Sequence, residues 1–241
     1  MVMALQKGDF VLIDYVAKVK ETNETFDTTN EQTAKTAHLH KEGETYEPKL
    51  VVVGEGWMLK PVDEAFMTME PAKPQTVEIA PDKGFGPRDP EKVKRVPLKQ
   101  LLARDVHNPQ IGMRIEYGGK SATIRSIGAG RVLLDFNPPL AGRTLVYDST
   151  VQKKLETNEE KITALIHRRV PIADQTKFKL TCEQNTLTID MPEETFYIEG
   201  IQVAKRGIAM DVQKYFPETT VIKFVETHKT EAPMPETPKP S

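Results

Sequence analysis

The stretch Val51-Val52-Val53-Gly54-Glu55-Gly56-Trp57-Met58-Leu59 leaves the chain few conformational choices. Three β-branched residues in a row read as a buried strand. Gly54 and Gly56 then break it and permit a tight turn. Pro61 suits the first turn of a helix, where its missing N–H costs nothing. A strand therefore hands over to a short helix, Pro61 to about Met67, with an apolar cluster at the join. That cluster is either plain core or the floor of an apolar pocket, and the rest of the chain has to decide.

Asp9 to Glu21 alternates cleanly, with Val11, Ile13, Tyr15, Ala17 and Val19 on one face, as a half-buried strand requires. A polar turn and Phe26-Asp27-Thr28-Thr29 follow. The polar segment Asn30 to Glu47 is long for a plain connection and accommodates a helix over Asn30 to His40. Gln75 to Ile79 reads as a strand and Ala80 to Arg88 as a turn-rich loop holding Phe85 between two glycines.

Arg88 to Asn137 reads as a separate small module. It has a helix around Leu98 to Leu102, then strands over Met113–Tyr117, Ser121–Ile127 and Arg131–Phe136, joined at Gly118-Gly119 and Gly128-Ala129-Gly130. About 50 residues make a marginal core, so the module is expected to lean on its host. A strand resumes at Thr144 and runs to about Leu155. The remainder reads as αββαβ: a helix over Ile162–Arg169 capped by Thr157 or Asn158, a hairpin of Lys177–Cys182 and Thr186–Met191, an amphipathic helix through Ile201, Ala204, Ile208, Val212 and Tyr215, and a strand over Thr219–Val225. Thr230 to Ser241 is proline-rich without apolar pattern and reads as disordered.

Composition narrows the function classes. The formal net charge is −2 with 28% charged residues, so the basic excess of a nucleic-acid binder is missing. No apolar run approaches a membrane span, and Met1 to Gly8 carries no signal-peptide core. Cys182 is the lone cysteine, which suits a reducing, cytoplasmic setting. Its alternation with Phe178 and Leu180 suggests a buried structural thiol. His38-Leu39-His40 lacks the partners of a metal site, and no cofactor motif is present. His167-Arg168-Arg169, at a helix C-terminus, suits the helix dipole.

Asp14-Tyr15, Thr25-Phe26-Asp27-Thr28, Val53-Gly54-Glu55-Gly56, Pro81-Asp82-Lys83-Gly84-Phe85-Gly86 and Leu140-Ala141-Gly142-Arg143-Thr144-Leu145 together cover roughly residues 5–155. In order and spacing they resemble the FK506-binding-protein (FKBP) family of peptidyl-prolyl isomerases. The match is best to the branch with a domain inserted in the flap, as in SlyD-like proteins and the long archaeal members. The resemblance implies an α+β fold: an FKBP-like antiparallel sheet wrapped on a short helix, an inserted small β-rich domain and a C-terminal αββαβ domain. The implied divisions are 1–87 plus 138–156 for the isomerase, 88–137 for the insert, 157–229 for the C-terminal domain and 230–241 for the tail.

The resemblance further implies a catalytic pocket of Tyr15, Phe26, Asp27, Met58, Leu59, Phe85 and Tyr147, with Val62 at the position of the family's pocket-floor tryptophan. Trp57 stands beside the floor or at its rim and is counted with the substrate-binding residues. Phe85 replaces a usual tyrosine, Lys49 falls near a usually apolar position, and Pro138 stands where the inserted-domain branch often has histidine. In the insert, Ile111, Met113, Ile115, Leu133, Leu134 and Phe136 are the apolar groups available either as its own core or as a surface for unfolded chains; Met113 is the best surface candidate. The expected activity is isomerisation of Xaa-Pro bonds in unfolded or nascent polypeptides. The alternative is a catalytically weak FKBP-like binding module acting through protein–protein contacts. The C-terminal extension of the long archaeal members is implicated in dimerisation, so the resemblance admits a homodimer through this part, beside docking on a ribosome or partner and plain stabilisation of the chain. No nucleic-acid, membrane or metal partner is implied.

Overall fold

The computed structural model describes residues 5–69, 72–103 and 106–228. The proline-rich tail from Thr230 lies outside them. Strand β1 (Phe10–Val19) organises the largest sheet. One edge pairs along its length with β9 (Leu145–Leu155). The other edge is shared: β3 (Lys49–Val52) takes Phe10 to Ile13, and β2 (Thr25–Thr28) takes Val16 to Lys18. β4 (Pro74–Ile79) pairs with the far edge of β9, and every pairing is antiparallel.

The alternation of β1 divides the sheet into two apolar faces. Val11, Ile13, Tyr15, Ala17 and Val19 point inward and pack, with Val51, Val53 and Tyr147, against α2 (Lys60–Phe66). Val62 and Phe66 of α2 have no exposed surface, and burying such side chains contributes roughly 1.5–3 kcal/mol each. Phe10, Leu50, Val52 and Leu155 point to the opposite face. Val151 and Leu155 have the same sequence parity yet face opposite sides. The register shift between Leu12 and Ile13 places an extra residue on β9 and turns its side chains over.

α1 (Glu31–Thr36) is shorter than the helix expected over Asn30 to His40. Asn30 caps it by accepting the Thr33 N–H, and His38 ends it in a left-handed conformation at φ 56°.

The insert forms its own four-stranded sheet in the order β5-β8-β7-β6, from β5 (Val93–Pro97), β6 (Arg114–Tyr117), β7 (Lys120–Gly128) and β8 (Arg131–Asp135), with α3 (Leu98–Leu102) against it. β5 is a strand absent from the sequence reading, because Lys94 and Arg95 mask Val93 and Val96. The insert does not lean on its host for a core. Val96, Leu101, Ile115, Ala122, Ile124, Val132 and Leu134 form a cluster of their own. The join to the host is polar instead. Buried Asp135 accepts from Arg88 at 3.0 Å, Arg125 at 3.0 Å and the Asn137 side chain at 2.8 Å, while Asn137 bonds both main-chain groups of Asp89. Gly142, at φ +75°, donates to the Gly86 carbonyl and lies so close to Arg88 that a Cβ there would come within 2.9 Å of it.

The C-terminal part consists of α4 (Asn158–Arg169), β10 (Lys179–Glu183), β11 (Thr186–Met191), α5 (Ile201–Tyr215) and β12 (Val221–Glu226). Thr157 caps α4 in a full capping box with Glu160. β10 and β11 form the hairpin, and α5 is the crossover that makes β11 and β12 parallel. Cys182 is exposed, not buried: β10 is an edge strand, and only Leu180 and Phe178 of that stretch are drawn toward the core. His167 does more than face a helix dipole, since its Nε2 lies 2.6 Å from Glu47 Oε1. Ile162, Leu165 and Ile166 of α4, with Ile208 and Val212 of α5, share one apolar cluster with Phe10, Leu50, Val52 and Leu155 of the large sheet.

Candidate active site

The site is built on the inner face of β1. Tyr15 is held first through its main chain: its N–H donates to Thr29 Oγ1 at 3.0 Å, and its carbonyl accepts the Thr29 N–H at 3.1 Å. Its phenol donates to Asp27 Oδ2 at 2.7 Å, and Asp27 Oδ1 accepts the Thr28 N–H at 2.9 Å. Tyr147 comes from the neighbouring strand β9. Its ring lies 5.8 Å from Tyr15 and meets Phe26 edge-on at 5.9 Å and 76°. Tyr15, Phe26, Asp27 and Tyr147, spread over more than half the chain, are thereby brought to one place.

Burial, then the hydrogen bond to Asp27, pushes the Tyr15 phenol well above its ordinary pKa, and burial, then the Asp27 charge, pushes Tyr147 up to about 12. Both therefore stay neutral at physiological pH. The Tyr15 hydroxyl is a fixed hydrogen-bonding group, not a proton donor to chemistry.

The floor comes from the strand-to-helix join. Gly54 and Gly56 both have positive φ, +79° and +70°, and their N–H groups donate to the two oxygens of buried Asp63 at 2.8 and 2.9 Å. Asp63 lies in the first turn of α2, so the helix that supplies Val62 also fastens the turn that delivers Met58 and Leu59. Met58 and Leu59 are half-buried against the cluster containing Tyr15, Tyr147 and Val62. Among the described residues, the Leu59 N–H has no hydrogen-bond acceptor, as expected at a helix N-terminus.

Some anticipated residues stand apart. Phe85 is 42% exposed and is not among the side chains packed with this cluster. Trp57 belongs to the side of the pocket and not its floor. It touches both apolar clusters, and its indole N–H donates to Tyr215 OH of α5 at 3.1 Å. In the insert, Ile115 is 7% exposed and lies in the core, and Leu134 is fully buried; Leu133 and Phe136 are half-buried, while Ile111 and Met113 are exposed. Sequence reasoning noticed Lys49 only as a misfit. Its ammonium donates to Tyr15 OH at 3.1 Å and lies 4.0 Å from Asp27 Oδ1, so a cation sits on the rim. Asp63 was missed altogether, although an acid in the first helical turn after a Gly-x-Gly bend is the signal for such a clasp. A crevice of about 970 Å³ lies behind β3, where Leu12, Leu50 and Leu155 face Ala164 and His167 of α4; it shares Lys49 with the pocket rim.

Tyr15, Phe26, Asp27 and Tyr147 thus lie together beside half-buried Met58 and Leu59, with the Leu59 N–H unpaired among the described residues. Comparison with known proteins decides the family. Residues 3–106 match the FKBP-type peptidyl-prolyl cis-trans isomerase family, residues 94–140 the FKBP26 IF domain, and residues 158–229 the FKBP26 C-terminal family. A short-type peptidyl-prolyl cis-trans isomerase of Methanocaldococcus jannaschii is 35% identical over 152 residues, which is 63% of this chain and 95% of that protein. The chain belongs to the FKBP-type peptidyl-prolyl cis-trans isomerases. More distant relatives of this isomerase include the protein SlyD of Helicobacter pylori, 25% identical over 50% of this chain and 66% of that one. Another is a probable FKBP-type 16 kDa isomerase of Pseudomonas fluorescens, 27% identical over 42% of this chain and 69% of that one. No helix among the described residues is long and apolar enough to cross a membrane.

Proposed function

We propose that this isomerase twists Xaa-Pro bonds of unfolded or nascent polypeptides in the cup of Tyr15, Phe26, Asp27, Met58, Leu59, Val62 and Tyr147, while the insert holds the substrate chain. The observation that carries this reading is the Tyr15–Asp27 hydrogen bond at 2.7 Å, set under Tyr147 and Phe26 on a floor that contains Val62. Rotation about a prolyl bond crosses a barrier of roughly 20 kcal/mol and makes or breaks no covalent bond. The twisted transition state has lost amide resonance and is less polar than the planar ground state. A dry apolar cup therefore binds it better than water does. The free Leu59 N–H is placed to hold a substrate carbonyl. The Tyr15–Asp27 pair, with Lys49 beside it, fixes the rim. Neutral Tyr15 and Tyr147 suit a reaction that needs no general acid or base.

The holdase part rests on the insert. Ile111 and Met113 are 69% and 41% exposed, immediately before β6 of the insert. Weak binding there raises the local concentration of prolyl bonds at the cup. α5 also exposes Val203 and Met210, which favours a homodimer through the C-terminal part, to be read by analytical ultracentrifugation. An exposed lone Cys182 suits a reducing cytoplasm.

The test compares the full chain, a chain lacking residues 88–137 and an Asp27→Leu variant on two substrates: a short prolyl peptide and a protein whose refolding is limited by proline. Asp27→Leu is expected to lower both activities about tenfold or more while leaving far-UV circular dichroism unchanged. The deletion should spare the peptide and lower the refolding activity. Full activity in Asp27→Leu sinks the pocket, and equal losses on both substrates after deletion sink the role of the insert.

A further inference from the structure

The loop that delivers Met58 and Leu59 to the pocket is held from two sides. Asp63 holds it from within, as described above. From outside it is gripped by α4 and α5. The Trp57 indole donates to Tyr215 OH at 3.1 Å, with the rings 6.2 Å apart at 64°. The Arg168 guanidinium of α4 lies 4.0 Å from the centroid of the Trp57 ring. One residue before Trp57's neighbour Gly56, Glu55 pairs with Lys214 of α5 at 2.7 Å. The Tyr215 ring in turn stands edge-on against Phe10 of β1 at 5.3 Å and 81°. The grip is thus braced on the same strand that carries Tyr15.

We propose that Tyr215 and Arg168 are positioning residues of the isomerase site: by fixing Trp57 they fix the Met58–Leu59 floor and the Leu59 N–H, which makes α4 and α5 part of the catalytic apparatus. This rests on the reading of Met58 and Leu59 as the pocket floor. Trp57 and Leu59 are separated by a single residue, and the segment leads straight into α2, so displacement of the indole is passed on to the Leu59 N–H. A misplacement of about 1 Å at a reacting centre can cost as much as a hundredfold in rate. Loops held by few contacts open at little cost, and without the grip this one would keep the Asp63 clasp, one local bond from the Glu55 N–H to the Val52 carbonyl and the packing of Met58 and Leu59. The competing account is that Trp57 only fills the space between two apolar clusters. The α4–α5 interface offers an internal control: Arg169 bonds Asp211 at 2.8 Å in the same helix pair, among the described residues no contact joins it to the loop, and its removal leaves Asp211 to Arg168, which lies 3.6 Å from the same carboxylate.

The experiment uses the full chain and the variants Tyr215→Phe, Arg168→Gln, their double and Arg169→Gln. Tyr215→Phe keeps the ring on Phe10 and removes only the acceptor. kcat and KM are measured separately on a short prolyl peptide, together with melting temperature and the emission of Trp57, the sole tryptophan of the chain. The double variant is expected to lower kcat about five- to tenfold with KM within about twofold, and to shift Trp57 emission, in keeping with loss of one hydrogen bond and one cation–π contact. Tyr215→Phe alone should lower kcat about threefold, which keeps the test open if the double variant fails to fold. Arg169→Gln should lower the melting temperature and leave kcat alone. Wild-type kcat in Tyr215→Phe with shifted emission overturns the proposal, as does an equal loss of kcat in Arg169→Gln. A wild-type chain inactive on the peptide would instead remove the pocket reading beneath it.

Discussion

Replacing Asp135 by Asn should loosen the insert and leave its host intact. The Asp135 carboxylate has no exposed surface, yet it accepts from two arginines and from both the main-chain and side-chain N–H of Asn137. Burial opposes its ionisation, but the Asn137 bonds, followed by those of Arg88 and Arg125, outweigh it and bring the pKa down to about 2. Against an ordinary value of ~3.9, that difference is worth about 2.5 kcal/mol, or roughly seventyfold in an equilibrium constant. Because the folded-state pKa is depressed, this stability is present above pH ~4 and is lost as pH falls toward about 2. Amide hydrogen exchange reads it locally. Near neutrality, amides of β7 and β8 in Asp135→Asn should exchange roughly fifty- to a hundredfold faster than in the wild type, after correction for intrinsic rates. Those of β1 and β9 should not change, since the insert has its own core. On acidification the wild type should approach the variant. A β7–β8 difference under about threefold at neutral pH, or one that persists unchanged at pH ~2, would refute the argument.

Further outcomes follow from the same geometry. Asp63→Ala removes a buried acceptor for two N–H groups of the exposed Gly54-Glu55-Gly56 turn and should cost about 1–2 kcal/mol in chemical denaturation while lowering peptide turnover. Asp63→Asn, which keeps one carbonyl oxygen, should lose less. Of the six tyrosines, Tyr15 and Tyr147 should remain un-ionised at about pH 11 in an ultraviolet difference titration. Their raised folded-state pKa values contribute stability that is complete below pH ~10 and is lost as pH rises through about 12, so their ionisation should coincide with alkaline unfolding. Gly142→Ala combines a positive φ with a contact on Arg88 main chain and should lower stability by about 2 kcal/mol or more, seen as a reduced melting temperature.

Much of the isomerase unit was legible because its information is local. The alternation of Val11 to Val19, the glycine-broken Val51–Leu59 stretch and the turn residues around Phe85 each announce an element without reference to the rest. The grouping of Tyr15, Asp27 and Tyr147 became legible only through family resemblance, since nothing in their spacing says that β1 and β9 are neighbours. What stayed hidden was long-range or polar. Cys182 alternates like a core residue, but an edge strand exposes what a central strand would bury. β5 escaped notice because charged side chains dominate a strand whose single inward residue is Val96. The apolar face of α5 told that the helix packs, not that the β1–β3 sheet is what it packs on. Trp57 was placed beside the floor or at its rim, but its partners there, Tyr215 and Arg168, lie more than a hundred residues away in the sequence.

The pairing of β1 with β9 also fixes an order of events during synthesis. Phe10 pairs with Leu155 and Val19 with Leu145, so β1 cannot complete its ladder until the chain as far as Leu155 has left the ribosome. By then residues 93–135, with neighbouring strands and a core of their own, are already free to fold. The insert thereby shortens the stretch of loose chain that must be closed to bring β1 and β9 together, and loop closure grows less costly as that stretch shrinks. A domain placed in the middle of another is in this case an intramolecular aid to the assembly of the domain it interrupts.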